Sequence, residues 1–181
     1  MHDLPERIGR YQVRAVLGVG GFAVVVRAYD EGLDTDVAIK VLNHEHAVDA
    51  DIRARFVREA QLLRRVRSPH VVAVHDLGEL DDGRPYFVME FASGGVLAER
   101  MPDRAGVVDS DGLISVITAL AAGLGALHDA QVVHRDVKPA NLLVVSTSAS
   151  RDRVDRPVTA TRNITRNPSA PSILRASSVN S

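Results

Sequence analysis

The stretch that most limits how this chain can fold runs V-V-H-R-D-V-K-P-A-N-L-L-V-V over residues 132–145. Its two apolar flanks are rich in valine and leucine and predict short buried strands. Between them His134, Arg135, Asp136, Lys138 and Asn141 crowd one polar loop, and Pro139 keeps that loop from being a regular helix. A carboxylate, an ammonium and an amide are thus held on one short segment between two anchored ends. That is a way to fix reactive groups without burying them. A polar surface turn is the plainer alternative.

The upstream chain predicts a sheet. From Tyr11, Y-Q-V-R-A-V-L and V-V-V-R-A-Y-D read as two strands around G-V-G-G-F-A, which carries Gly18, Gly20 and Gly21. Glycines so spaced also open dinucleotide-binding folds, but those require a helix after the turn. Val24-Val25-Val26 disfavours a helix and favours a returning strand. A glycine hairpin can lay backbone N–H groups over phosphates, because no side chain blocks the approach.

In D-V-A-I-K-V-L, Val37, Ile39 and Val41 point to one side, and Ala38, Lys40 and Leu42 to the other. Lys40 is therefore set among apolar neighbours, where a lone ammonium is costly. Asp51 to Val66 has helical periodicity, with Ile52, Phe56 and Leu63 on one face. Glu59 shares that face and needs a cationic partner. Lys40 is the natural one; surface pairing with Arg55 or Arg58 is the alternative.

Ser68-Pro69 ends the helix, and V-V-A-V-H-D-L-G-E and R-P-Y-F-V-M-E-F read as strands joined around Asp81-Asp82-Gly83. Gly94-Gly95 breaks the pattern and opens a short helix toward Met101. Leu113 to His128 reads as a helix with Leu113, Val116, Leu120, Leu124 and Leu127 at three- and four-residue spacing. It is apolar on much of its circumference, so burial on more than one side is expected. His44 and His46 are expected in an exposed loop, with no zinc site.

The run H-R-D-x-K-P-x-N resembles the catalytic loop of protein kinases in its serine/threonine-specific form. The glycine hairpin and V-A-I-K stand before it in the same order as in that family. The resemblance is to bacterial serine/threonine kinases of the eukaryotic (Hanks) type and covers roughly residues 11–145. It implies an α+β, two-lobe fold: a complete N-lobe of antiparallel sheet plus one helix, and an incomplete helical C-lobe.

The resemblance also implies an ATP site. Leu17, Gly18, Val19, Gly20, Gly21, Phe22, Ala23, Val24 and Val25 would form the phosphate-covering loop, with Ala23 standing where the family has its third glycine. Ala38 would line the nucleotide site, and Lys40, paired with Glu59, would contact the α- and β-phosphates. Met89 would back the adenine pocket, with ordinary core packing as the alternative. Glu90 and Ala92 would offer backbone hydrogen bonds to the adenine edge. Asp136 would be the base, Lys138 would steady the transferring group, and Asn141 would hold magnesium. ATP and Mg2+ are the implied cofactors. A protein substrate is the implied partner, with another kinase chain as a second candidate.

Composition limits the rest. The formal charge of −1 over 181 residues gives no electrostatic case for nucleic acid or an anionic membrane. The absence of cysteine excludes disulfides and fits a cytoplasmic protein. The charged start M-H-D-L-P-E-R-I-G-R has no apolar segment of a secretory signal. The apolar stretch Leu113–Leu127 reads as too short for a membrane span, so a soluble chain is expected.

Residues 1–10 read as an approach segment. Residues 146–181, rich in Ser, Thr, Arg, Asn and Pro, predict a disordered tail. Neither Asp-Phe-Gly nor Ala-Pro-Glu occurs in the chain. The resemblance implies transfer of the ATP γ-phosphate to protein Ser/Thr hydroxyls. The alternative is a catalytically inactive fragment that binds nucleotide or a partner. The abrupt change after Val145 is also what a reading-frame shift would produce, leaving a truncated product.

Overall fold

Alternating valine, alanine and isoleucine build much of the first half of the chain into antiparallel sheet. The structure, a computed structural model, describes residues 4–100, 110–134, 137–146 and 174–178. The chain divides into two compact units near Phe91–Ala92.

The first unit holds strands β1 (Arg7–Ile8), β2 (Tyr11–Val19), β3 (Ala23–Asp30) and β4 (Thr35–Leu42). A short helix α1 (His44–Ala47) and the longer α2 (Ala50–Leu63) follow, then β5 (Val74–Glu79) and β6 (Pro85–Glu90). The strands form one sheet in the order β1-β2-β3-β4-β6-β5, and every neighbouring pair is antiparallel. The second predicted hairpin thus forms around Gly83, which has φ +84. Its first strand begins at Val74 rather than Val71.

The two-residue period sorts each strand into two faces. Ile8, Tyr11, Val24, Val26, Ala28, Val37, Ile39, Val41, Tyr86 and Val88 form one continuous core. The sheet curls enough for Tyr11 on β2 to donate a hydrogen bond to Asp76 on β5 at 3.2 Å. Burial pushes the Tyr11 hydroxyl pKa up, and the neighbouring Asp76 carboxylate adds to the rise. Asp30 is buried at the end of β3. It accepts Gly32 N–H at 3.0 Å and Leu33 N–H at 3.3 Å, closing the β3–β4 turn, and it pairs with Arg10 at 3.0 Å.

The opposite sheet face receives α2. Asp49 caps that helix by accepting Asp51 N–H at 2.9 Å and Ile52 N–H at 3.1 Å, using N-terminal donors that the helix leaves unpaired. Phe56, Ala60 and Leu63 form its buried stripe. Phe56 packs on Phe87 of β6 with ring centroids 5.1 Å apart.

The second unit holds α3 (Leu97–Arg100), α4 (Ser110–Asp129), a 3-10 turn at Pro139–Asn141, and strands β7 (Leu142–Ser146) and β8 (Leu174–Ser178). Gly94 lies so close to β7 that a Cβ there would sit 2.1 Å from the Val144 carbonyl oxygen. Gly95 has φ +72 and accepts the Val144 N–H at 2.9 Å. One glycine is required by close approach and the other by backbone conformation.

Several expectations need correction here. Val132-Val133 is not a strand: Val132 N–H bonds back to Leu127 O at 2.8 Å, finishing α4, and Val133 is exposed. Only the downstream flank is a strand. Within the stretch expected to be disordered, Leu174–Ser178 instead pairs with β7 in parallel register, Leu142 opposite Leu174 and Ser146 opposite Ser178. His44 and His46 lie in α1, not in a loop.

Helix α4 is not buried on more than one side among the described residues. Ala119, Gly123 and Leu127 are buried, whereas Leu113, Ile114 and Ile117 are 46%, 61% and 55% exposed. The helix is also longer than the sequence reading gave it. Its segment Gly112–Asp129, mean hydropathy 1.5, is long and apolar enough to cross a membrane by length and composition alone.

Candidate active site

The register of the first unit gathers the predicted site residues on one sheet face. Lys40 stands opposite Val25 on β3 and Phe87 on β6, and Ala38 stands opposite Met89. Residues paired across antiparallel strands share a face. Val25, Ala38, Lys40, Phe87 and Met89 therefore line the face away from the valine-rich core. Ala38 and Met89 are buried, at 5% and 6% exposure.

Helix α2 brings Glu59 onto that face. Its Oε1 accepts a hydrogen bond from Lys40 Nζ at 2.9 Å, with both side chains largely buried. The Lys40 ammonium also lies 5.7 Å from the Phe56 ring centroid and 5.4 Å from that of Phe87. Two aromatic faces and one carboxylate thus stabilise a cation that burial alone would disfavour. The pairing with Lys40 rather than with Arg55 or Arg58 is the arrangement found. Phe56 and Phe87 were missed as members of the site. Phe56 falls three positions before Glu59 on the same helix, and that spacing was the available signal.

The glycine hairpin joins β2 to β3. A register shift between Val16 and Gly18 puts Leu17 at a bulge, where it is 43% exposed. Gly18 and Val19 pair with Val25 and Val24, and Gly20 N–H closes the tip by donating to Ala23 O at 2.9 Å. A Cβ at Gly21 would meet nothing within 4 Å, so the tip is open on that side. Phe22 is half-buried beside His46. Glu90 N–H donates to Ala73 O at 2.9 Å, which commits that donor to the backbone beside the sheet.

Ala92, Lys138 and Asn141 belong to the second unit. Ala92 is buried and its carbonyl accepts Gly95 N–H at 3.4 Å. Pro139 starts the 3-10 turn, where its missing N–H costs nothing. Asn141 N–H donates to Lys138 O at 2.8 Å, and the Asn141 side chain is 2% exposed. His134 is buried just upstream. Arg135 and Asp136 lie outside the described residues.

In the first unit stand a glycine hairpin and a lysine held by a helix carboxylate, in the second a polar loop ending in a buried asparagine; these are kinds of group that phosphoryl-transfer sites use. Residues 11–154 match the family described as the protein kinase domain. The chain belongs to that family. It is 39% identical over 136 residues to the serine/threonine-protein kinase PrkC of Bacillus subtilis, covering 75% of this chain and 21% of that protein. It is 40% identical over 136 residues to PknL of Mycobacterium tuberculosis, covering 75% of this chain and 33% of that one. Among solved structures, the PknI kinase domain of Mycobacterium tuberculosis superposes with a TM-score of 0.64 at 31% identity, covering 77% of this chain and 57% of that one. The kinase chain thus spans a fifth to a third of these curated relatives and just over half of the solved domain. Helix α4 lies inside the matched kinase segment.

The residues present fit the two expected cofactors unequally. The open hairpin tip and the Lys40–Glu59 pair suit a polyphosphate. For magnesium, Asn141 offers one neutral oxygen, whereas such sites ordinarily use one or two carboxylates besides phosphate oxygens. Among the described residues no group of three His, Cys, Asp or Glu could hold a metal ion.

Proposed function

We propose that this kinase chain carries the ATP-holding and base-carrying part of a cytoplasmic serine/threonine protein kinase, which moves the γ-phosphate of ATP to protein hydroxyls. The observation that carries this reading is Lys40 Nζ held 2.9 Å from Glu59 on the sheet face beside the glycine hairpin. Bound ATP would supply the phosphoryl group and carry magnesium on its phosphates. Lys40, oriented by Glu59, would neutralise charge on the non-transferring phosphates. The hairpin backbone would cover them and exclude water. Asp136 would accept the proton of the attacking hydroxyl, Lys138 would steady the group in flight, and Asn141 would offer its side-chain oxygen to magnesium.

The lack of Asp-Phe-Gly favours a second reading for these 181 residues taken alone: nucleotide binding without transfer. The two readings separate in one experiment. ATP binding is measured by calorimetry with and without magnesium, and transfer of labelled phosphate to a Ser/Thr-containing protein is followed alongside. Binding lost about tenfold or more in Lys40→Met, together with transfer lost in Asp136→Asn, supports the kinase reading. Binding with little magnesium dependence and no transfer supports the second. A chain that binds no ATP overturns both.

A further inference from the structure

The glycine hairpin is held from outside by the turn that follows β4. Asn43 is the N-cap of α1, with φ −66 and ψ 147, and its carbonyl accepts His46 N–H at 3.0 Å and Ala47 N–H at 3.1 Å. Asparagine in that position ordinarily turns its side-chain oxygen onto the helix N–H groups. Here it makes no such bond. Asp49, the cap of α2 six residues later, does make its capping bonds.

The Asn43 side chain is directed elsewhere. Its Nδ2 donates to Gly20 O and to Gly21 O, both at 2.9 Å, and its backbone N–H donates to Phe22 O at 2.8 Å. One helical turn on, His46 Nε2 lies 3.0 Å from Gly21 O, and its ring stacks on Phe22 with centroids 4.3 Å apart at 22°. That bond needs a hydrogen on Nε2, which the matching neutral tautomer and the imidazolium both carry.

The consequence follows from peptide geometry. In a trans peptide the C=O of one residue and the N–H of the next point in opposite directions, and no cis bond occurs among the described residues. Three successive carbonyls turned toward Asn43 and His46 aim the N–H groups of Gly21, Phe22 and Ala23 away from them. Successive N–H groups so aimed are a cradle for an anion.

We propose that Asn43, assisted by His46, is a positioning residue that presets the glycine hairpin to receive the phosphates of ATP. This rests on the nucleotide-binding reading above. Holding the loop in advance lowers the ordering cost that binding would otherwise carry.

The test uses the full chain. Asn43→Ser keeps a good, uncharged N-cap but is too short to reach both carbonyls. Affinities for ATP and for adenosine, which lacks phosphate, are measured for both proteins by calorimetry. The expected result is an ATP affinity about five- to tenfold lower in the variant, with adenosine affinity held within about twofold. His46→Leu is the second variant if Asn43→Ser does not fold, with an ATP loss of about threefold expected. Unchanged ATP affinity, or equal losses for ATP and adenosine, overturns the positioning role alone. A wild-type chain that binds neither ligand removes the nucleotide reading and this inference together.

Discussion

The six-stranded unit and the helical unit satisfy their side chains in different ways. In the first, the apolar rows of β2, β3, β4 and β6 meet one another, and the one lysine on the opposite face meets Glu59 and two aromatic rings. In the second, α4 buries Ala119, Gly123 and Leu127 but leaves Leu113, Ile114 and Ile117 in solvent. A curled sheet can bury its own inner rows, whereas a helix apolar around much of its circumference needs neighbours on several sides. The glycine hairpin and the Lys40–Glu59 pair therefore stand on contacts within the first unit, and the polar loop of the second follows a helix with an open apolar face.

The largest expected effect is Gly94→Ala. Its Cβ would sit 2.1 Å from the Val144 carbonyl oxygen, and backbone cannot yield as a flexible side chain can. A loss of about 3 kcal/mol or more is expected, read as lost hydrogen-exchange protection in β7 while β2–β6 keep theirs. Equal loss in both units would break the distinction and make them one cooperative block.

Phe56→Ala comes next. It removes the ring that packs on Phe87 and flanks Lys40, with about 3 kcal/mol lost from the first unit in denaturant unfolding. A loss confined to a few tenths would mean that α2 is held mainly by the Lys40–Glu59 pair. Replacing Leu113, Ile114 and Ile117 together with glutamine should change stability by about 0.5 kcal/mol per site or less, while reducing self-association in sedimentation. A large destabilisation would show that this face is covered, and the contrast between the units would fall.

The smallest effect concerns acid. Burial opposes ionisation of Asp82, but hydrogen bonds from the Arg84 backbone and guanidinium outweigh it and hold the carboxyl below its ordinary value. The unfolded chain then takes up that proton at a higher pH than the folded chain. The contribution is complete above the ordinary carboxylate range, about pH 4, and is lost as pH falls through the lower folded value. Because Asp82 is 42% exposed, solvent screening leaves about 0.2–0.5 kcal/mol. Asp82→Asn should remove that contribution at neutral pH and flatten that part of the acid dependence, with no further loss once the carboxyl is protonated.

Much of the first unit was readable before any coordinates. Strand alternation placed Lys40 opposite Val37, Ile39 and Val41, and helical spacing put Glu59 in line with Ile52 and Leu63. The reading failed where a signal was shared by two conformations. Val132-Val133 is β-branched enough for a strand, yet it follows directly on a helix whose end it completes. His44 and His46, expected in a loop, lie instead in the short helix α1.

Periodicity along the chain was enough to assign most elements, the apolar side of each and the order of the polar motifs, because these depend on neighbours a few residues apart. It could not say what lies opposite an apolar side. The parallel pairing of Leu174–Ser178 with β7, the closeness of Gly94 to Val144 and the hold of Asn43 on the glycine hairpin all join segments distant in sequence. Those contacts arise only when the chain's path brings two surfaces together, and no local pattern encodes that path.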